Sequence, residues 1–206
     1  MDRKQKGFTL IEILVVVTII GVLAGLVVVL IPQGKEKADQ LECTNNVRQL
    51  CQSLIALGGS SFPDQGGVNL LLYLYKGGTI ERDEQNLGLL FCPGDKIESL
   101  REAGGVDVYK NLDLEKQGEH GNLSSYAGRN QRDRKCVANL SSTKTQALMC
   151  DDSQDHHLGK GFVVGYTNGA AKFREKLEHW KLDVAVDVKV GTGSEIEELK
   201  CLNTDD

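Results

Sequence analysis

The residues best suited to chemistry form a short run of acids and imidazoles in the C-terminal third of the chain. The run holds Asp151, Asp152, Asp155, His156 and His157. Carboxylate oxygens are the ligands that Ca²⁺ prefers, so one interpretation is a Ca²⁺ loop, although the spacing does not match an EF-hand. The two imidazoles make a transition-metal site a second interpretation. A solvated polar turn is the third, and we expect no cofactor unless this run binds Ca²⁺.

Cysteines are the second group of reactive side chains, and there are six: Cys43, Cys51, Cys92, Cys136, Cys150 and Cys201. None of them forms the Cys-x-x-Cys pair that is typical of zinc sites, so the sequence favours disulfides over zinc. Cys43 and Cys51 lie ~12 Å apart by rise along one predicted helix, which is too far for a bridge. We predict that Cys92 pairs with Cys136 or with Cys150.

Motifs for catalysis or for nucleic-acid binding are missing from the sequence. It contains no Gly-x-Ser-x-Gly, no His-Glu-x-x-His and no phosphate-binding loop. The formal net charge of −5 argues against a nucleic-acid surface, which needs a basic patch. A hydrophobic content of 40% excludes a disordered chain. The sequence therefore predicts a folded protein that is not an enzyme, and an anchored hydrolase using residues 151–157 is a weaker hypothesis.

An apolar stretch near the N-terminus predicts how the chain is placed relative to a membrane. The segment Ile13–Ile31 carries no charged residue, and Glu12 directly precedes it. A helix needs ~20 apolar residues to cross a bilayer core of ~30 Å. We therefore predict a membrane span over residues 8–31. A fully buried core helix is the alternative.

Charged residues around this span predict its orientation. Arg3, Lys4 and Lys6 precede it, and basic residues stay on the cytoplasmic side, so the acidic remainder is expected on the far side. A charged side chain such as that of Glu12 costs free energy in a membrane span, ~2.5–3.5 kcal/mol at the centre of the span and less near an interface. The span contains no basic residue. A cation for Glu12 must therefore come from a chain terminus or from another molecule, unless the carboxylate reaches water at the headgroup level.

The segment Lys6–Gly25 resembles the N-terminus of type IV pilins and type II secretion pseudopilins. The shared pattern is Gly7, Phe8, Thr9, Leu10, Ile11 and Glu12, followed by an apolar run. The resemblance implies that a prepilin peptidase cuts between Gly7 and Phe8 and that the new amine of Phe8 is methylated. It also implies that Glu12 faces the N-terminal amine of a neighbouring subunit in a filament.

The N-terminal helix is expected to extend well beyond the span. Apolar residues recur at helical spacing as far as Ile55, and the Gly58-Gly59 pair ends the pattern, so we predict one helix over residues 8–58. Gly21 and Gly25 have the spacing that lets helices approach closely in lipid, and we assign them to assembly.

The remaining residues, 59–206, predict a periplasmic α+β domain with a small antiparallel sheet, as in pilins. Asn168-Gly169 lies between two short apolar runs and predicts a β-hairpin. The alternation over Leu182–Val190 predicts a further strand, and Gly88–Asp95 a short strand before a turn. The domain loosely resembles pseudopilin-like proteins of planctomycete type, from which it departs at the hairpin turn.

These observations predict a pseudopilin or a minor pilin-like subunit of a type II secretion or type IV pilus-like system. We expect it in the bacterial inner membrane, with a cytoplasmic N-terminus and a periplasmic domain that joins a filament. Its expected partners are prepilin peptidase, other pilin-like subunits and the assembly platform. The alternative is a membrane-tethered periplasmic binding module for polysaccharide or secreted cargo.

Overall fold

The computed structural model describes residues 8–58, 61–81, 83–93, 109, 123–138, 143–152 and 156–203. The chain divides into two units, 1–38 and 39–206. Helix α1 spans Leu10–Gly58 and therefore contributes residues to both. The globular unit thus begins within the helix, earlier than the predicted start at residue 59, because side chains of α1 between Cys43 and Leu54 belong to its core.

The described part of the first unit contains the apolar start of α1. Every side chain from Phe8 to Leu26 is exposed, and Phe8 itself is 84% exposed. The Thr18 hydroxyl is satisfied within the helix, since it donates to the carbonyls of Leu14 and Val15 at 3.1 and 2.7 Å. Across the described residues, no helix is long and apolar enough to cross a membrane.

The second unit is built on a five-stranded antiparallel sheet with helices beside it. Its further helices are α2, Gly67–Lys76, and α3, Glu84–Leu87. The strands are β1 Tyr126–Arg129, β2 Ala147–Asp151, β3 Gly161–Tyr166, β4 Ala171–Glu175 and β5 Leu202–Asn203. Their order across the sheet is β4-β3-β2-β1-β5. The predicted α+β class with a small antiparallel sheet is confirmed.

The sheet is buried on both faces, which gives the unit two cores. One core joins α1 and α2 to the sheet through residues such as Val47, Leu71 and Val163. The second core lies under the C-terminal segment and contains Phe162, Val164 and Leu199. Successive residues of β3 therefore point into different cores, as the period of two in a strand requires.

The hairpin prediction is confirmed, whereas two predicted strands are wrong. Strands β3 and β4 pair around Asn168-Gly169, where Gly169 takes φ +77°. The segment Leu182–Val190 forms turns and irregular chain and no strand. This is because the ammonium of the buried Lys176 donates hydrogen bonds to the carbonyl oxygens of Val184 and Val186, at 3.3 and 2.9 Å. Gly88–Leu90 is a 3₁₀ turn that follows α3 directly.

The predicted disulfide pairing is also wrong. Cys136 bonds to Cys201, with 5.2 Å between their Cα atoms. The pairing of β5 with β1 brings these two cysteines together, since the backbone N–H of Asn130 donates to the carbonyl of Cys201 at 2.9 Å. Cys92 and Cys150 cannot bridge each other because they lie in different cores.

The close approach of α2 to β1 yields a stability prediction. A Cβ added at Gly128 would lie 2.0 Å from the carbonyl oxygen of Gly67, a backbone atom with little freedom to move. We expect Gly128→Ala to lower the free energy of unfolding by about 1–3 kcal/mol. Thermal denaturation of the purified chain measures this as a drop in Tm of about 2–4 °C per kcal/mol.

Gly193→Ala is the matched control, because no described atom lies within 4 Å of its added Cβ. It should change stability by less than about 0.5 kcal/mol. Equal Tm values for the two variants would contradict the close packing of α2 on β1.

Candidate functional site

Two groups of residues could carry function, and the first is the start of α1. The Thr9 backbone N–H and its hydroxyl both donate to Oε2 of Glu12, at 2.7 and 2.8 Å. The Glu12 N–H donates back to the Thr9 hydroxyl at 3.4 Å. This reciprocal arrangement is a capping box, which satisfies donors that every helix start leaves without a partner. Within its own chain, Glu12 is therefore a helix cap.

The other residues assigned to processing and assembly surround this cap. Gly7 lies outside the described residues, and Phe8 immediately precedes the cap as an exposed side chain. Gly21 and Gly25 lie farther along α1, where an added Cβ would meet no described atom within 4 Å. Both glycines thus leave open space on the helix surface that a neighbouring helix can approach.

The second group is a buried polar cluster at the end of β2. The Asp151 carboxylate is fully buried. Its Oδ1 accepts a hydrogen bond from Sγ of Cys43 at 3.1 Å, and its Oδ2 accepts one from the Val163 N–H at 2.8 Å. A buried carboxylate must be paired and hydrogen-bonded, since its desolvation is expensive. Its neighbours therefore decide what it can do.

His157 lies against this carboxylate. Its side chain is 1% exposed, and Nε2 is 3.4 Å from Oδ2 of Asp151. The ring meets Phe173 edge to face, with 5.5 Å between centroids. His157 and Leu158 both adopt left-handed backbone angles, with φ +58° and +56°. Such a conformation costs about 1–2 kcal/mol for a residue other than glycine, so the turn that aims the imidazole inward is strained.

Two cysteines complete the cluster. Cys43 comes from α1 and Cys92 from the segment after the 3₁₀ turn, and both are buried. One ligand atom each from Cys43, Cys92, Asp151 and His157 lies within 4.8 Å of every other. The hydroxyl of Tyr126 lies 3.4 Å from Sγ of Cys43 at the edge of the group. We call these four ligand residues the buried cluster.

The electrostatics of the buried cluster follow from its burial. Burial raises the pKa of the Cys43 thiol well above its ordinary value, and the neighbouring Cys92 and Asp151 raise it further. For His157, burial lowers the pKa, but Asp151 and Cys92 outweigh it and raise the pKa to about 10.

Only part of the predicted metal run enters the buried cluster. Asp151 and His157 converge, as the run suggested, whereas the Asp152 N–H bonds to the Ser125 carbonyl at 3.1 Å beside β1. Asp155 and the side chain of His156 lie outside the described residues. The Ca²⁺ hypothesis for the run therefore stays a prediction.

Sequence reasoning missed two features of these sites. Cys43 and Asp151 are 108 residues apart, so no local spacing could have joined them. The capping box did have a signal, because Thr9 and Glu12 have the Thr-x-x-Glu spacing ahead of an apolar run.

Comparison with known proteins identifies the class of the N-terminal segment. Residues 2–28 match the family model described as the prokaryotic N-terminal methylation motif. This match confirms the predicted prepilin-type start of the chain. The relatives found by sequence carry the same segment and are named type II secretion system core protein G.

Three of these relatives show how far the likeness extends. The protein from Dickeya chrysanthemi is 45% identical over 65 residues, which are 31% of this chain and 42% of that protein. The protein from Vibrio cholerae is 46% identical over 68 residues, 31% of this chain and 47% of the relative. The Escherichia coli K12 protein is 51% identical over 51 residues, 25% of this chain and 35% of the relative. The chain thus spans less than half the length of these relatives, and no solved structure matches it.

The capping box yields a prediction for the first turn of α1. Thr9→Val removes the hydroxyl that bonds Glu12 and keeps the branched shape of the side chain. Loss of a helix cap costs about 1 kcal/mol, which corresponds to about fivefold faster amide exchange at Glu12 and Ile13. Hydrogen exchange of the full-length chain in detergent, followed by NMR, measures this rate.

Thr18→Val is the control, because the Thr18 hydroxyl bonds only carbonyls of the preceding turn. It should leave exchange at Glu12 and Ile13 unchanged. The capping role is refuted if both variants exchange at the same rate as the unmodified chain.

Proposed function

We propose that this protein is a pseudopilin subunit of a type II secretion system. Prepilin peptidase cuts between Gly7 and Phe8, the Phe8 amine is methylated, and α1 then assembles with other subunits into a periplasmic filament. The observation that carries the proposal is the methylation motif at residues 2–28, whose described side chains, those of residues 8–26, are all exposed. The chain is then a substrate of the peptidase and not itself an enzyme.

The exposed apolar helix supports an assembly role. Soluble proteins rarely expose a large continuous apolar surface, and such a surface marks contact with a membrane or with a partner. In the proposed function, the first half of α1 is held in the inner membrane before assembly and among neighbouring helices afterwards. The open space at Gly21 and Gly25 lets those helices come close.

Charge and disulfide chemistry support the proposed topology. Three basic residues, Arg3, Lys4 and Lys6, precede the apolar stretch and hold the leader on the cytoplasmic side. The peptide bond that the peptidase cuts lies on that side. The Cys136–Cys201 disulfide suits an oxidising compartment such as the periplasm. Both features agree with a single span that leaves the second unit outside the cytoplasm.

Glu12 acts in two stages in this proposal. In the single chain it caps α1 through Thr9. In the filament, the carboxylate lies among apolar helices, where an unpaired charge is costly. The methylated amine of Phe8 from a neighbouring subunit then supplies the cation that residues 8–31 lack.

The processing step is tested by Gly7→Leu. Glycine allows the peptidase to approach the backbone closely, so a leucine should block the cut. Intact mass and N-terminal sequencing of the membrane-extracted chain should show a methylated Phe8 start for the unmodified protein and a Met1 start for the variant. Gly34→Leu is the control, since Gly34 lies far from the cleavage point in the sequence and has no described atom within 4 Å of its added Cβ, and it should be processed normally.

An uncut start at Met1 in the unmodified protein, in a host with active peptidase, would overturn the proposal. The chain would then be a tethered domain, and the binding of polysaccharide or cargo would be its leading function.

The assembly step is tested by Glu12→Gln, which keeps the size of the side chain and removes its charge. A buried amine without its partner costs about 3–5 kcal/mol, so subunit association should fall by at least about a hundredfold. Filament yield after shearing and sedimentation measures the loss, and the mature Phe8 start is checked in the same sample. Glu36→Gln, a carboxylate farther along α1, should assemble normally, and equal yields for both variants would refute the pairing.

A further inference from the structure

The buried cluster has the composition of a metal site and takes no part in the proposed assembly. Its ligand residues come from four separate segments, namely α1, the segment after the 3₁₀ turn, the end of β2 and the strained turn. All four residues are buried, and their ligand atoms lie within 4.8 Å of one another. Two thiols, a carboxylate and an imidazole rarely converge in an apolar core without a purpose.

His157 supplies a second observation at the cluster. Its side chain is 1% exposed, and its Nε2 makes no hydrogen bond among the described residues, with Oδ2 of Asp151 3.4 Å away. A buried polar atom without a direct hydrogen bond is costly. The strained turn keeps this nitrogen aimed at Asp151. A metal ion bound to Nε2 in place of a proton would give the nitrogen a direct partner.

The donor atoms of the cluster favour a cation as that ligand, since sulfur, nitrogen and carboxylate oxygen are metal ligands. The Asp151 carboxylate lies beside the sulfur of Cys43 and beside Nε2 of His157. A divalent cation would neutralise the carboxylate and draw protons from both thiols and from the imidazole into solvent. Metal binding ordinarily couples to proton release in this way.

We propose that Cys43, Cys92, Asp151 and His157 bind one zinc ion. Zinc takes sulfur, nitrogen and carboxylate ligands in a tetrahedron, with bonds of about 2.3 Å to sulfur and about 2.0–2.2 Å to nitrogen and oxygen. These bond lengths place neighbouring ligand atoms about 3.3–3.8 Å apart. Sγ of Cys43 lies 3.1 Å from Oδ1 of Asp151, and Nε2 of His157 lies 3.4 Å from the other carboxylate oxygen, Oδ2. All four ligand atoms lie within 4.8 Å of one another, so small side-chain shifts would bring them to zinc-ligand distances.

The ligand set separates zinc from other cations. Ca²⁺ takes six to eight oxygen ligands, and this cluster offers a single carboxylate. Copper(I) prefers thiolates and thioethers, so an imidazole and a carboxylate favour zinc. Four protein ligands without an open position define a structural site and not a catalytic one.

The surroundings of the cluster would orient its ligands. The Val163 N–H donates to Oδ2 of Asp151, and the Tyr126 hydroxyl lies at the sulfur of Cys43. Outer contacts of this kind fix ligand orientation in known metal sites. A bound zinc would join α1 to the end of β2 and to the strained turn, and thus stabilise the junction of helix and sheet.

The test is zinc binding by the full-length chain, purified in detergent without chelator or thiol reductant. Native mass spectrometry after zinc supply should show one zinc per chain. Replacement by Co²⁺ should give thiolate charge-transfer bands and the ligand-field bands of a tetrahedral site. Cys92→Ser and His157→Gln should each retain less than about a tenth of the wild-type zinc.

Cys51→Ser is the matched control, since Cys51 is a buried thiol on the same helix that lies outside the cluster. It should bind zinc as the unmodified chain does. The Co²⁺ spectrum of the unmodified chain keeps the proposal falsifiable even if a ligand variant does not fold.

Three results would overturn the proposal. One is an unmodified chain that takes up neither zinc nor Co²⁺. Another is a mass lower by two hydrogen atoms than that of the chain with only the Cys136–Cys201 disulfide, together with a linked Cys43–Cys92 peptide, which would make the site a disulfide. The last is equal zinc content in folded Cys92→Ser and in the control.

Discussion

The structure depends on the two environments that α1 has to satisfy. Its first half exposes apolar side chains on every face, and its second half places Cys43, Val47 and Leu54 in the core of the globular unit. The hydrophobic effect therefore acts on one helix in two ways, since the second half packs into the globular core and the exposed apolar side chains of the first half are the surface on which the proposed assembly rests. The division of the chain at residue 38 follows from this difference.

The globular unit buries its apolar side chains on both faces of a small sheet, because both faces of that sheet are covered. Helices α1 and α2 cover one face, and the C-terminal segment covers the other. Small residues allow the close approach: a Cβ at Gly165 would lie 2.5 Å from Sγ of Cys51. The Cys136–Cys201 disulfide fixes the far end of the covering segment beside β1. Large aromatic side chains also fill the cores, since Tyr75, Tyr126 and Phe162 are fully buried.

Two carboxylates, Glu12 and Asp151, present a related physical problem in the two units of the chain. Asp151 is buried in the structure, burial of Glu12 is part of the proposed assembly, and each accepts hydrogen bonds in the single chain. For Glu12 the proposed cation comes from a neighbouring subunit, so its neutralisation is coupled to assembly. For Asp151 the proposed cation is a metal ion, so its neutralisation is coupled to the folding of the domain.

The sequence by itself determined the features that depend on local order along the chain. The methylation motif, the long helix, the α+β class and the hairpin at Asn168-Gly169 all rest on neighbouring residues or on a short period. Tertiary structure decided what depends on distant residues. The segment Leu182–Val190 has the period of a strand, yet the buried Lys176 donates hydrogen bonds to two of its carbonyl oxygens. The edge of the sheet beside β1 is occupied by β5. Cys136 meets Cys201, and Cys43 meets Asp151, because sheet pairing and helix packing bring together residues that no local spacing connects.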